Sequence, residues 1–404
     1  MPVATTLANT DTEKLNRLLE VSQVISRRLG LKELLREVIV QASELVSADR
    51  CTLWLYDQGR SDIYTFIGQG LDEQVFRMPL GRGVAGVAAM ERRTIVENDP
   101  YNSPYFNPQM DRQSGYRTRS LLAVPMESHE GRLLGCFQAI NRLDETREDG
   151  VGAFSDDDVD LLSALSSFAA VALENALLYE EQQRQFNSVI VMLATAVDAK
   201  DPTTANHTKL VTGISVALAK QMELSEKAVE RIRISAILHD LGKIGVPDTI
   251  LTKPGALTDE EFQLMRSHCL KSILLLRKMS FRRDLSDVPE IAGQHHEKLD
   301  GTGYPFGLRG DEITLEGRII AVADVFQALT QTRPYKQGRT PREALTICRQ
   351  MTQVYTDHHG RTSGVHLDEL VVDALEALLD RWQADMAFFE AESGWEQMLS
   401  GGVI

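Results

Sequence analysis

Residues 295–305 read HHEKLDGTGYP. Two adjacent imidazoles and a glutamate lead into a turn on Gly301 and Gly303, whose backbone freedom allows a tight reversal, and the turn closes on Tyr304 and Pro305. A histidine pair becomes informative when other donors can meet it. The same half of the chain supplies His207, then His239 followed at once by Asp240, then His268, and finally Asp324 within VADVF (322–326), with His366 further on. A solitary histidine is more often a packed or surface residue, and His129, His358 and His359 are read that way. The ordered series differs. Neutral imidazoles with carboxylates suit iron, manganese, nickel or zinc, and one shared carboxylate can hold two ions a few ångströms apart. These donors fall in separate helical segments, so only a packed helical bundle would bring them together.

Helical patterning dominates from Asp201 onward. MELSEKAVERIRISAILHDLGK (222–243) is periodic throughout, and Thr258-x-x-Glu261 is a capping box that predicts a helix to about Met279. GRIIAVADVFQALT (317–330) and Leu367–Phe389 are also helical in pattern, which makes the second half all-α. The first half differs. Apolar residues at Leu15, Leu18, Leu19, Val21, Ile25 and Leu29 predict one helix, and 31–46 a second. Strand-like runs follow at 51–57, 63–68, 94–99, 120–126 and 133–141, parted by Gly, Asp, Asn and Pro, so an α+β domain ending near residue 180 is expected.

Between the halves runs a heptad series: Leu161, Leu165, Phe168, Ala172, Asn175, Tyr179, Gln182, Phe186, Val189, Leu193 and Ala196. It passes the domain boundary without Pro or Gly. A parallel dimer helix is expected over 161–196, with Asn175 and Gln182 as polar interruptions of the seam; a helix packed on its own domain is the alternative. The domains expected are 13–180, 190–385 and a tail over 386–404, with the linking helix overlapping both.

With 404 residues the chain is large enough for two cores, and 43% hydrophobic with 25% charged residues is ordinary for folded protein. A formal charge of −15 argues against coating long nucleic acid but leaves room for a small anionic ligand held by local Arg and Lys. The four cysteines are far apart with no C-x-x-C pair, as in a reducing compartment. No signal peptide is read in MPVATTLANTDTEKL, and the apolar run Leu161–Leu178 is broken by Ser163, Ser166, Ser167, Glu174 and Asn175. A cytoplasmic protein without a membrane span is expected. GRGVAG at 81–86 formally matches G-x-G-x-x-G, but it follows the charged, Pro-containing DEQVFRMPL instead of a buried strand, so it reads as a tight turn into a short helix.

Residues 13–180 resemble GAF domains through ADRCTLWLYD (48–57), GRGVAG (81–86), LLAVPM (121–126), GCFQAINR (135–142) and FSDDDVDLL (154–162), in that order. Cyclic-nucleotide-binding members carry an Asn-Lys/Arg…Phe-x-x-x-Asp-Glu signature. Asn141, Arg142, Phe154 and Asp158 fit it, while Val159 replaces the glutamate. Cyclic-nucleotide binding, another small ligand and a purely dimerising role stay open.

Residues 190–385 resemble HD-GYP domains, the bacterial cyclic di-GMP phosphodiesterases of the HD superfamily. HDLGKIGVPDTILTKPGALTDEEF (239–262), HHEKLDGTGYPFGLRGDEI (295–313), RIIAVADVFQALTQTRPYK (318–336) and GVHLDELV (364–371) carry the likeness. The resemblance implies hydrolysis of cyclic di-GMP at a centre of two divalent ions, iron or manganese, with nickel or zinc as alternatives. It implies the ligands His207, His239, Asp240, His268, His295, His296 and Asp324, with Asp240 bridging. Lys243 would contact the scissile phosphate or assist the leaving 3′ oxygen, and is expected one helical turn beyond His239 on the same face. Tyr304, Arg333 and Lys336 would bind substrate, while Glu297 and Asp300 would support the loop. Thr203 stands where members with three metals carry glutamate, so two metals are expected and His207 is the ligand with least support. Gln327 replaces an aspartate, Cys269 a proline, and His366-Leu367-Asp368 departs from H-F-D. A non-catalytic cyclic di-GMP receptor and a phosphodiesterase for cyclic GMP-AMP are the rival functions.

Overall fold

The structure is a computed structural model that describes residues 31–68, 75–148, 150–200, 206–332, 337–356, 362–381, 386–395 and 398. The helix expected at Leu15–Leu29 lies outside them. The chain divides between Glu181 and Gln182 into two compact units.

In the first unit, α1 (Leu31–Leu45) buries Leu35, Val38, Ile39 and Ala42, the spacing of one helical face. Strands β1 (Ala48–Asp57), β2 (Asp62–Gly68), β3 (Arg77–Pro79), β4 (Ile95–Glu97), β5 (Leu121–Glu127), β6 (Leu133–Leu143) and β7 (Val151–Gly152) form one antiparallel sheet. Its order is β3-β2-β1-β6-β5-β4, with β7 on β6. Side chains alternate between its faces. Leu122, Val124 and Met126 join the core under α1, whereas Leu121 and Ala123 meet the opposite core with Val84 and Ala88 of α2 (Gly83–Glu91). The turn at 81–86 thus enters a short, largely buried helix. A six-residue helix, α3 (Gln109–Ser114), completes that side. The edge strand β3 escaped sequence reading because it is three residues long, holds Pro79 and has no apolar alternation.

Two of the cyclic-nucleotide signature residues, Arg142 and Asp158, engage each other, while Asn141 bonds the segment before β5. Arg142 Nε donates to Asp158 Oδ2 at 2.8 Å, and Asn141, with φ +54°, accepts the Arg119 amide at 2.7 Å and donates to Tyr116 Oη at 2.8 Å. A cavity of about 210 Å³ in this unit is lined by Trp54, Met78, Phe106, Tyr116, Leu121 and Gln138 among others.

The long helix α4 (Asp156–Lys200) has 45 residues. Leu161 and Leu165 of the expected seam are buried in the first core, Ala172 is also buried, and Phe186 and Leu193 pack into the second unit. Phe168, Asn175, Tyr179, Gln182, Val189 and Ala196 are exposed. The seam drawn from sequence therefore mixes two faces, because the helix spends part of its apolar surface on each unit's own core. By length and composition alone α4 could cross a membrane, although Leu162, Leu165, Ala169 and Leu173 are consumed inside the first core.

The second unit packs α5 (His207–Gln221), α6 (Glu226–Leu238), α7 (Asp248–Leu251), α8 (Asp259–Leu276), α9 (Val288–Gly293), α10 (Leu315–Thr330), α11 (Pro341–Gln350), α12 (Glu369–Arg381) and α13 (Met386–Glu392). Thr258 and Glu261 make the expected capping box, and α8 ends at Leu276, three residues short of expectation. Ile214, Ile232, Ile319, Phe326 and Leu375 meet in one core. Among the described residues, a two-stranded ribbon, β8 (Tyr355–Thr356) with β9 (Thr362–Ser363), departs from all-α.

Candidate metal centre

Helix ends deliver most of the polar cluster. His207 opens α5, His239 caps the C-terminus of α6, and His295 and His296 follow α9; His268 and Asp324 sit within α8 and α10. After Leu238 the chain tightens into a 3-10 turn, Leu241–Gly245. Ser272 of α8 fastens it: its hydroxyl donates to the His239 carbonyl and accepts from the Gly242 amide, both at 2.8 Å. Gly242 is required there, since a Cβ would stand 1.9 Å from the His268 carbonyl.

Four imidazoles share one orientation device. Nδ1 of His239, His268 and His295 donates to the carbonyl three residues earlier, on Ala236, Met265 and Ala292, at 2.6, 2.8 and 2.8 Å. Nδ1 of His207 donates to Gln327 Oε1 at 2.6 Å. A carbonyl oxygen only accepts, so in the neutral ring each Nε2 presents a lone pair. Those lone pairs face each other in two pairs: His207 with His239 at 3.4 Å, and His268 with His295 at 3.2 Å. Two acceptors at such separation repel, and a cation shared between them removes the conflict. Bond lengths of about 2.0–2.2 Å put donors around one ion about 3–3.5 Å apart, so the residues fit divalent metal.

Asp240 lies between the pairs. Its Oδ2 is 3.4 Å from His239 Nε2 and 3.6 Å from His207 Nε2, while Oδ1 is 3.3 Å from His268 Nε2 and 3.9 Å from His295 Nε2. Asp324 Oδ1 is 3.4 Å from His207 Nε2, and its Oδ2 is 4.0 Å from His296 Nδ1. Burial alone would raise the Asp240 carboxyl, but the Lys243 ammonium and His239 outweigh it and hold it well below the usual carboxylate range. Burial holds His207 and His268 below the usual imidazole range, pushes His296 down to about 3 and, with help from His296 and His239, holds His295 well below that range. At His239 burial is overcome by Asp240, so its pKa rises. The centre is thus built from mostly neutral imidazoles around one firmly ionised carboxylate.

All seven expected ligand residues converge. Lys243 belongs to the 3-10 turn rather than to a continued α-helix, and its Nζ reaches Asp240 Oδ2 at 2.6 Å. The same-face argument by α periodicity is therefore corrected; the tighter turn makes the contact. The Tyr304 ring centroid lies 4.8 Å from that of His296 with the rings tilted by 38°, and the Arg266 guanidinium is 4.5 Å from the Tyr304 ring centroid. Gly303 allows this approach, because a Cβ would stand 2.4 Å from the Lys298 amide nitrogen. Glu297 accepts from the Phe306, Gly307 and Leu308 amides, and Asp300 from Thr302, with His366 3.5 Å away. Arg333 and Lys336 lie outside the described residues. Sequence reasoning missed the orienting role of Gln327, the clasp at Ser272, and Arg266 beside Tyr304. In the sequence Gln327 stands out only as a departure, and nothing marks the other two.

Residues 30–173 match the GAF domain model and residues 191–360 the HD domain model. The chain carries a GAF domain and an HD domain. A probable cyclic di-GMP phosphodiesterase of Vibrio cholerae is 38% identical over 207 residues, which is 48% of this chain and 44% of the relative. A 3′3′-cGAMP-specific phosphodiesterase of the same organism is 42% identical over 159 residues, 39% of this chain and 34% of the relative. The chain thus spans less than half the length of these curated relatives. Among solved structures, the GAF domain of an Acinetobacter phosphoenolpyruvate-protein phosphotransferase is 16% identical with a TM-score of 0.36, covering 41% of this chain and 96% of that one. The HD domain of this chain therefore holds the His/Asp centre, and its GAF domain holds the cavity of the first unit.

Proposed function

We propose that the chain is a metal-dependent phosphodiesterase that opens cyclic di-GMP to pGpG, GMP or both, under control of its GAF domain. The observation that carries this reading is Asp240, one oxygen turned to each pair of lone-pair imidazoles and Lys243 at its edge. His207, His239, Asp324 and Oδ2 of Asp240 would hold one divalent ion; His268, His295, His296 and Oδ1 would hold the other. Iron or manganese are the first choices and nickel or zinc the next. When bound, such ions supply Lewis acidity toward a phosphodiester and its attacking water.

The remaining roles belong to the chain itself. Lys243 is positioned to hold the scissile phosphate or pass a proton to the leaving 3′ oxygen. Tyr304 offers a nucleobase an aromatic face, and burial keeps its hydroxyl protonated as a donor. Arg333 and Lys336 are assigned to phosphate and guanine from sequence. The cyclic-GMP-AMP relative supports the mixed dinucleotide as a second reading. A pure receptor has no need of so complete a donor set.

The GAF cavity would take a small molecule of mixed polarity. The chain pairs with a second copy through α4, whose exposed Phe168, Val171, Asn175, Leu178, Val189 and Met192 keep heptad spacing. The enzyme works in the cytoplasm.

Metal analysis and product chromatography on anaerobically purified protein, with both dinucleotides and with Asp240→Ala alongside, test the proposal. Two metal equivalents and hydrolysis are expected in the wild type, with both reduced or lost in the variant. Metal-replete wild type that cleaves neither dinucleotide would remove the enzymatic reading.

A further inference from the structure

We propose that Cys269 is a ligand to the ion held by His268 and His295, so that half of the centre is a sulfur-containing site. The inference rests on reading this cluster as a metal centre. Cys269 follows His268 in α8 and is fully buried. Its Sγ lies 3.4 Å from His268 Nε2 and 3.9 Å from His295 Nε2, and those nitrogens are 3.2 Å from each other. Together with His296 these residues form a group whose ligand atoms all lie within 4.8 Å of one another.

The triangle has the dimensions of a coordination face. Bonds of about 2.05 Å to nitrogen and about 2.3 Å to sulfur, at tetrahedral angles, place nitrogens about 3.3 Å apart and nitrogen and sulfur about 3.6 Å apart. The observed edges fall on both sides of those values. A thiol that merely donated its proton could satisfy one of the two nitrogens, whereas both turn lone pairs toward the same space. A cation with three donors satisfies all of them, and its binding releases the thiol proton to solvent. The other cysteines show what a packing thiol looks like in this fold: Cys51, Cys136 and Cys348 sit in apolar cores.

Sulfur changes which metal the site prefers. A thiolate is a soft donor that favours zinc, cobalt and ferrous iron over manganese and magnesium. The departure at this position thereby becomes a determinant of metal choice.

The test loads full-length wild type, Cys269→Ser and Cys348→Ser with cobalt(II). Expected is a thiolate-to-cobalt charge-transfer band in the near ultraviolet for wild type and Cys348→Ser, absent from Cys269→Ser. Chelator competition should show cobalt binding weakened about tenfold or more by Cys269→Ser, with a smaller change for manganese. Bound cobalt without a charge-transfer band in the wild type overturns sulfur ligation and leaves the metal-centre reading standing. Failure of the wild type to bind cobalt at all removes both.

Discussion

Gln327 Oε1 accepts the Nδ1 proton of His207 at 2.6 Å, where the HD-GYP resemblance leads one to expect a carboxylate. An amide oxygen fixes the same tautomer and ring orientation but brings no charge, so it makes the imidazole a weaker base toward metal than a carboxylate would. Gln327→Asp should therefore tighten metal binding at the His207 side. Gln327→Leu should loosen it by about 10–100-fold and leave a buried N–H unpaired at a cost of about 1–3 kcal/mol. Competition with a chelator reads both; equal affinity in all three proteins would show that His207 needs no orienting partner. This scale also explains what sequence could reveal. The ligand candidates are legible because imidazole and carboxylate declare their chemistry, whereas three of the four orienting acceptors are carbonyls of Ala236, Met265 and Ala292, which any residue would supply.

Short elements place the reactive groups, and they are the ones periodicity reads worst. The turn Leu241–Gly245 brings Lys243 to Asp240 through 3-10 geometry, which an α-helical pattern misdescribes. The loop after His296 is fixed by Glu297, which gathers three amides, and by Gly303 lying against the backbone at Glu297 and Lys298. The glycines at 301 and 303 were visible as a turn from sequence. Their separate duties were not: Gly301 has φ +79°, while Gly303 is needed for close approach. Gly303→Ala should shift the Tyr304 segment and cost about 1–3 kcal/mol of local packing. Because His295 and His296 precede the loop, metal content should hold while KM for the dinucleotide rises. Wild-type KM in the alanine variant would detach Tyr304 from substrate binding.

Two units share one 45-residue helix, and the last turn of that helix is bonded to segments that adjoin the candidate metal centre. Asp198 accepts from Thr208, the neighbour of His207, at 2.8 Å. Lys200 Nζ donates to the Ile244 and Val246 carbonyls, at 2.7 and 2.9 Å, at the end of the turn carrying Lys243. The heptad spacing of α4 was readable from sequence, but sequence could not apportion its faces, since Leu165 serves the first core, Phe186 the second, and Phe168 and Met192 neither. These bonds tie the register of the end of α4 to the segments carrying His207 and Lys243. Inserting two residues after Gln185 turns the following half by roughly 200°, whereas seven residues restore the phase to within about 20°. If phase carries the signal, the two-residue insertion should change the steady-state rate of cyclic di-GMP hydrolysis and weaken dimerisation, and the seven-residue insertion should behave close to wild type. Metal content measured in parallel separates a regulatory change from a damaged centre. Equal rates and equal oligomeric state in all three proteins would dissociate α4 from control of the site.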